Sequence, residues 1–521
     1  MKPGPDRGDG VSTALLAAPS DAGALAGRIR DLSDATAVFR WFRRLATLPS
    51  RDIDGDVLRR AIVASASVDA GVLRRMAASA AAPRDRQTES FVAAALLVNR
   101  RLNIPAFSAA PIHFRVAGDG FQRVLGVLSE RAIPDSIQAA FDLMIAKQHL
   151  LATLQRAGYF DEAEAMSRNA SAFSRRIRRN LYGEESRGFT EQWTFAIGHL
   201  VLLAFLIKGM DAGLFDFAHA KVWAGRAANP ALLRQVLALS PDVEVVPPWS
   251  TFADNHSSGL LEWIDGRFVD CFEACGIVAD TAGDAGGAIL AKPDGSHPEL
   301  VRFRDVVGWT PDDRIVTVHC REAGFRVNDR HDLRNVDIAD YVAALKALVA
   351  RGYRVVRLGD PTMTPLPAID GVVDYATSTL KSPELDILLP AVARFHIGSS
   401  SGLSLVPLLY GVPSLFLNWH PIDMLPWGRR NWTVMKPLVA LADRRRVVDP
   451  ASYAALGRVR EMPLLQSFGY TTCGLAPADI ERVTLAFADA VEADAPPPRV
   501  GRNLGRVLAA DEAGDLHDLM P

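Results

Sequence analysis

The sequence predicts an α/β protein, with an all-α helical front followed by two doubly wound domains. Three observations predict it. Between residue 31 and about residue 180, "ESFVAAALLVNRRL" and "SIQAAFDLMIAKQHLLATLQRAG" carry apolar residues at three- and four-residue spacing, with no strand-like alternation. After Gly188, strand-like and helix-like runs alternate, as a parallel sheet requires. After a Gly-, Ala- and Asp-rich stretch, Asp280 to Glu299, the same alternation starts again. A chain of 521 residues is long enough for several cores.

The elements follow in order. Residues 1–30 read as a flexible tail and 31–185 as the helical domain. Within it, Leu150 to Ala170 resembles one tetratricopeptide unit, with Ala157, Gly158, Tyr159 and Ala163 at the small and aromatic positions. Residues 186–300 read as the first α/β domain and its linker. "EQWTFAIG" is the expected first strand and "HLVLLAFLIKGM" the helix after it. "FAHAKVWAG" is a strand, "NPALLRQVLALS" a helix with Asn229 as cap and Pro230 in its first turn, and "DVEVVPP" a strand. Residues 301–495 read as the second α/β domain. "DRIVTVHC", "YRVVRLGD", "FHIGS" and "VPSLFLN" are its strands. The helices between them are "IADYVAALKALVARG", stopped at Gly352, then "LKSPELDILLPAVAR" and "SGLSLVPLLYG". Pro390 and Pro407 shorten or kink the last two. A helix from Ala478 to Glu492 closes the domain, and 496–521 reads as a polar tail.

Composition narrows the function. The net charge of −2 gives no basic field for nucleic acid or an anionic membrane. The longest apolar run, Phe195 to Ile207, is below the roughly 18 residues of a membrane span. The N-terminus lacks the pattern of a secretory signal. A cytoplasmic protein with at most peripheral membrane contact is expected. Four cysteines are too few for a disulfide framework. The C-x3-C of Cys271 and Cys275 has no second ligand pair, so no metal is expected there.

Candidate site residues cluster where strands end, the rim at which doubly wound sheets bind ligands. Gly398 to Gly402, "GSSSG", lies between a strand and a helix. Small residues let something approach the backbone closely. Amides at a helix start favour an anion, and Ser399, Ser400, Ser401 and Ser404 add hydroxyls. Neither a Walker loop nor a dinucleotide fingerprint is present. His319, Arg321 and Glu322 follow the strand "RIVTVH". Arg321 offers a planar fork to a diphosphate, and Glu322 could orient it or act as a base. The polar loop from there to Asn335 could cover a substrate. Arg357 and Gly359 end the next strand, and Asp374 and Lys381 precede the following helix; a ribose or base would fit among them. In the first α/β domain His199 is the titratable group at the rim and a candidate base.

With these residues in view, "VHCREAGF…LRNVDIADYVAALKALVARGYRVVRLGD" and "DYATSTLKSPELDILLPAVARFHIGSSSGLSLVPLLYGVPSLFLN" resemble a family of bacterial glycosyltransferases. These belong to surface-polysaccharide and flagellin-modification loci. The resemblance is dense from Arg314 to Asn418, with an outlying match at "IGHL", and does not cover residues 1–180. The H-x-R pattern before a Ser-rich turn is also similar to fucosyltransferases, in which the Arg holds the donor diphosphate. That implies the same role for Arg321 and Ser399 to Ser401. Val406 and Pro407 stand where many retaining enzymes carry a ribose-binding Glu, and Glu322 replaces the second basic residue of the fucosyltransferase pattern. GDP-fucose therefore does not follow.

The resemblance implies two Rossmann-like domains in a GT-B arrangement. It implies transfer of a sugar from a nucleotide-sugar to a glycan, lipid-linked or protein acceptor, with no metal or other cofactor. The helical front would recognise a protein partner or form a dimer. Two other expectations stay open: a nucleotide-sugar 2-epimerase of the same fold, and a helical-repeat scaffold with a degenerate sugar-nucleotide domain.

Overall fold

The computed structural model describes residues 186–223, 227–246, 260–284, 286–323, 332–494 and 504–519, with four helical positions, Glu164, Ser167, Arg168 and Ser171. The chain divides into two compact units, Met1–Glu184 and Glu185–Pro521. The tail at 1–30, the helical domain at 31–185 and the tetratricopeptide-like unit lie outside the described residues, those four positions apart. The second unit is a mixed α/β structure with two sheets of parallel strands.

The smaller sheet has strands β1 (Ser186–Phe189), β2 (His219–Trp223) and β3 (Val243–Val246), all parallel and in sequence order. The first strand is thus "SRGF" and not "EQWTFAIG", which forms a one-turn 3-10 segment and the start of helix α1 (Ile197–Asp211). Gln192 to Ala196 carries the turn that swings the chain from sheet to helix. Helix α1 is apolar on every face because it is buried on every face; Leu200 to Ile207 are all inaccessible to solvent or nearly so. Helix α2 (Pro230–Leu237) starts as expected, with the Asn229 side chain accepting from Leu232 N at 2.9 Å. A hairpin of β4 (Leu260–Glu262) and β5 (Phe268–Asp270) precedes helix α3 (Cys271–Ala282), which packs on α1. The expected linker therefore begins as helix, and helix α4 opens at Pro298 (Pro298–Val307).

The larger sheet has eight strands. They are β6 (Arg314–His319), β7 (Tyr353–Arg357), β8 (Val372–Val373), β9 (Phe395–Gly398), β10 (Ser414–Trp419), β11 (Gly428–Met435), β14 (Leu504–Ala510) and β15 (Leu516–Asp518). A small separate pair, β12 (Leu438–Ala440) and β13 (Tyr470–Thr472), lies between them in sequence. The spatial order is β8-β7-β6-β9-β10-β11-β14-β15. Only the last pair is antiparallel. Counting from β6, the first six strands lie in the order 3-2-1-4-5-6, that of dinucleotide-binding sheets. The strand order reverses between β6 and β9, and a crevice opens there at the carboxyl ends.

Helices α5 (Val342–Ala350) and α9 (Pro477–Glu492) cover one face of this sheet and α4 and α6 (Leu385–Val392) the other. Residues 496–521 are not a tail throughout: β14 pairs with β11 and carries Val507 and Leu508 into the interior. Short alternating strands at a chain end read as polar without the neighbour that covers them. "SGLSLVPLLYG" is a 3-10 helix, Leu403–Tyr410, ended by Gly411 in the left-handed region. Pro407 inside it withholds a donor that a regular α-helix would use.

The two sheets belong to one body, held by direct contacts. Ile289 N and Leu290 N donate to Leu409 O (3.0 and 2.9 Å), Asn229 Nδ2 to Pro383 O (2.9 Å) and Tyr410 Oη to Gln235 Oε1 (2.8 Å). The tightest contact is between two glycines. A Cβ on Gly198 would lie 2.5 Å from Gly402 Cα, and a Cβ on Gly402 2.6 Å from Gly198 N. Each is the small residue at the start of a helix, and the two helix starts abut. Gly402→Ala should lower unfolding free energy by about 1–3 kcal/mol through overpacking against backbone that cannot yield. Urea denaturation checks this, and an unchanged midpoint would contradict the contact.

Candidate functional site

The crevice at the strand ends is a cavity of about 550 Å³ lined from both sheets. From the first come Phe195 to His199, Asn229 and Phe272; from the second come residues after β6, β7, β9 and β10. Register explains the convergence. His319 of β6 stands opposite Gly398 of β9, which stands opposite Phe416 of β10. Whatever follows these three strands is delivered to one rim.

The serine-rich turn stitches that rim together. Ser399 N donates to His319 O (3.0 Å) and Ser399 Oγ accepts from Arg321 N (2.8 Å), tying β9 to the segment after β6. Ser400 Oγ accepts from His420 N (2.6 Å), tying β9 to the segment after β10. Ser401 N donates to Ser399 O (2.7 Å). So the amides of Ser399 and Ser401 and the hydroxyls of Ser399 and Ser400 already serve the fold. The close approach that the small residues permit is made by Gly198 of α1. Two helix starts thereby point their first turns at one cavity, and first-turn amides have no partner inside their own helix.

Of the expected residues, the cavity gathers His199, His319, Arg321, Glu322, Gly359, Lys381, Ser400, Ser401 and Gly402. It is not lined by Asn335, Arg357, Asp374, Ser399 or Ser404. Ser399 and Ser404 are fully buried. Asn335 offers its carbonyl to Lys436 Nζ at 2.6 Å.

Arg357 lies beneath the cavity floor. Its guanidinium is inaccessible to solvent and pairs with Glu322 Oε1 (3.2 Å) and Asp374 Oδ1 (3.0 Å). The outer oxygens of these carboxylates accept from Thr364 N (2.6 Å) and Leu366 N (2.9 Å). One arginine thus anchors the Pro-rich segment after β7, and neither Arg357 nor Asp374 is presented to a ribose. Glu322 reaches the cavity wall with both oxygens engaged, an arrangement that suits a positioning group better than a base. Gly359 packs against Met363, whose side chain would have to shift to admit a Cβ there. Lys381 Nζ is held by Asp386 Oδ1 at 2.6 Å, and burial pushes the Asp386 carboxyl up. Arg357→Met should destabilise by about 3–5 kcal/mol by leaving two carboxylates without their buried cation. Double substitution with Glu322→Gln should recover part of the loss, as a denaturation cycle would show.

Three histidines stand in the interior of this rim. His319 Nδ1 donates to Leu358 O (3.1 Å), His420 Nε2 to Val459 O (2.5 Å), and His396 Nδ1 lies 2.9 Å from Thr317 Oγ1. Burial pushes His319 and His420 down to about 4 and His396 to about 3. His199 is half-buried; its Nδ1 donates to Gln192 O at 2.6 Å, which makes Nε2 the proton-accepting nitrogen. In the unfolded chain a histidine titrates near 6.5. Below that pH the unfolded chain takes up protons that the three buried rings refuse. Stability carried by the neutral rings is present above pH 6.5 and lost as pH falls toward 4 and 3. At pH 5 this amounts to about 2 kcal/mol per ring. Asp270 and Asp386, raised by burial, oppose it at the acid end. Melting temperature should fall steadily from pH 6.5 to 5; a flat profile would place charged histidines in the fold.

His420, two residues beyond Asn418, was missed in the sequence, although the strand-end rule covers it. Asp386, Arg334, Arg460 and Phe195 were missed too, and all of them line the cavity, as does Asp360 at the end of "YRVVRLGD". Arg460 carries no local signal: it lies between the short helices α7 (Pro450–Leu456) and α8 (Met462–Ser467) and pairs with Asp423 at 2.7 Å. Among the described residues no group of three or more His, Cys, Asp and Glu could hold a metal ion, and no helix is long and apolar enough to cross a membrane. Cys271 and Cys275 are buried in α3, with both thiols pushed up by burial.

No protein-family model matches the chain, and no curated protein matches it. Solved structures similar to it include glycosyltransferases of E. coli. The bacterial iron-containing dodecameric glycosyltransferase TibC from enterotoxigenic E. coli H10407 is 14% identical over 44% of this chain and 57% of that one, with a TM-score of 0.26. The dodecameric iron-containing heptosyltransferase TibC in complex with ADP-D-β-D-heptose is 12% identical over 47% and 61%, with a TM-score of 0.29. E. coli ADP-heptose lps heptosyltransferase II is 14% identical over 68% and 96%, with a TM-score of 0.26. The chain spans about three-fifths of TibC. At these scores the fold reading rests on the strand order and not on the likenesses.

Proposed function

We propose that the chain is a glycosyltransferase of the GT-B kind, moving a sugar from a nucleotide-sugar donor to a glycan, lipid-linked or protein acceptor. The observation that carries the reading is one cavity at the switch point of a 3-2-1-4-5-6 sheet, closed by a helix start from a second parallel sheet. A diphosphate suits that place. Two helix starts and Arg321 supply positive potential, and negative charge grows on the leaving diphosphate as the glycosidic bond breaks.

The donor lies on the larger sheet, its diphosphate against Arg321 and the Ser400–Gly402 turn. The arginine and the amides take the leaving charge, so that transfer needs no metal. The acceptor enters from the α1 side. His199 Nε2 takes the proton of the attacking hydroxyl, because its Nδ1–H is held by a backbone carbonyl and the ring has the tautomer of a base. Glu322 positions Arg321's segment through its pair with Arg357.

Thermal shift with GDP, UDP, ADP, dTDP and CMP is the test. A ligand at a hundred times its dissociation constant adds about 2.7 kcal/mol. One diphosphate should raise the melting temperature of the native chain, and Arg321→Ala should abolish the rise while melting at its usual temperature. Loss of turnover by a hundredfold or more should accompany it. No shift with any nucleotide would end the donor reading.

A further inference from the structure

His319 and His420 flank the serine-rich turn, one at the end of β6 and one just after β10, and both line the cavity. Each ring has one nitrogen committed to a backbone carbonyl: Leu358 O for His319 Nδ1 and Val459 O for His420 Nε2. A carbonyl only accepts, so these nitrogens carry the proton. The other nitrogen of each neutral ring, His319 Nε2 and His420 Nδ1, is then an acceptor only. Both are buried and have no hydrogen-bond partner among the described residues. The two residues are 3% and 1% exposed, so solvent reaches neither ring freely. An unsatisfied buried acceptor is unfavourable unless a ligand supplies the donor.

The backbone holds both rings still. Ser399 N binds His319 O, and Ser400 Oγ binds His420 N, so the same turn that borders the anion site fixes the two acceptors beside it. Burial keeps both rings neutral at physiological pH, so neither adds to the positive potential. The cavity therefore holds two kinds of recognition: cations and helix starts for an anion, and two fixed neutral acceptors for groups bearing O–H.

We propose that His319 Nε2 and His420 Nδ1 are specificity-determining acceptors that bind hydroxyl groups of the transferred sugar. This rests on the glycosyltransferase reading. It makes the sugar a hydroxyl donor at two points and disfavours donors whose hydroxyls there are methylated, acetylated or absent.

His319→Asn and His420→Gln are the variants of choice. Asn keeps an N–H near the position of Nδ1, and Gln keeps one near Nε2, so each preserves the bond to the carbonyl and deletes the acceptor. Calorimetry of the full chain compares bare GDP, UDP, ADP and dTDP with their glucose or mannose conjugates. Each variant should bind the bare diphosphate as the native chain does. Each should lose about three- to tenfold in affinity for the conjugate. Equal affinity for the conjugate, or an equal loss for diphosphate and conjugate alike, would overturn the assignment.

Histidine-selective nitrogen-15 spectra form the second arm. His319 should show the Nδ1–H tautomer and His420 the Nε2–H tautomer at pH 7. Their acceptor nitrogens should move with the conjugate and not with the bare diphosphate. The opposite tautomer, or a charged ring, would overturn the proposal without any ligand. A native chain that binds no diphosphate would refute the glycosyltransferase reading. Free glucose and mannose would then probe the same two nitrogens, and no movement would overturn the acceptor assignment too.

Discussion

Everything at the candidate site depends on two backbones touching. Gly198 and Gly402 meet with no side chain between them, and this lets α1 start where the serine-rich turn ends. A residue with a Cβ at either position would push the helix starts apart. At the crevice wall the two helix starts and Arg321 add their potentials at one place.

Around that contact the structure uses its polar groups twice. The hydroxyls of Ser399 and Ser400 fasten β9 to the segments after β6 and β10, and by doing so set the positions of Arg321, His319 and His420. Arg357 works from below, holding Glu322 and Asp374 so that the segment after β7 keeps its course. A ligand thus meets a rim that is already assembled, which lowers the conformational entropy lost on binding.

Four central strands of the larger sheet, β6, β7, β9 and β10, were legible in the sequence because they are apolar runs buried on both faces, and such runs announce themselves. Their ends pointed to His319, Arg321 and the serines. What those side chains would face was not legible. Arg357, Glu322 and Asp374 look alike as polar residues near strand ends, yet Arg357 is buried beneath the floor and Glu322 is on the wall. Their separation depends on side-chain direction and on the return of the Pro-rich segment. The strand "SRGF" was hidden because it is short and contains Arg and Gly. Its burial comes from neighbours, Phe217 among them, that are close only in space.

By itself the sequence determined the alternation of strand and helix, the rim on which binding residues stand, and the need for very small residues at Gly398 to Gly402. Those are local matters of periodicity, capping and steric size. Tertiary structure alone decided that the smallness of Gly402 serves Gly198, more than two hundred residues earlier in the chain, that β14 completes the sheet, and that His420 and Arg460 join the cavity. Strand order and the closure of one sheet upon another are set by burying apolar faces over long sequence separations, and no short stretch of the chain carries that information.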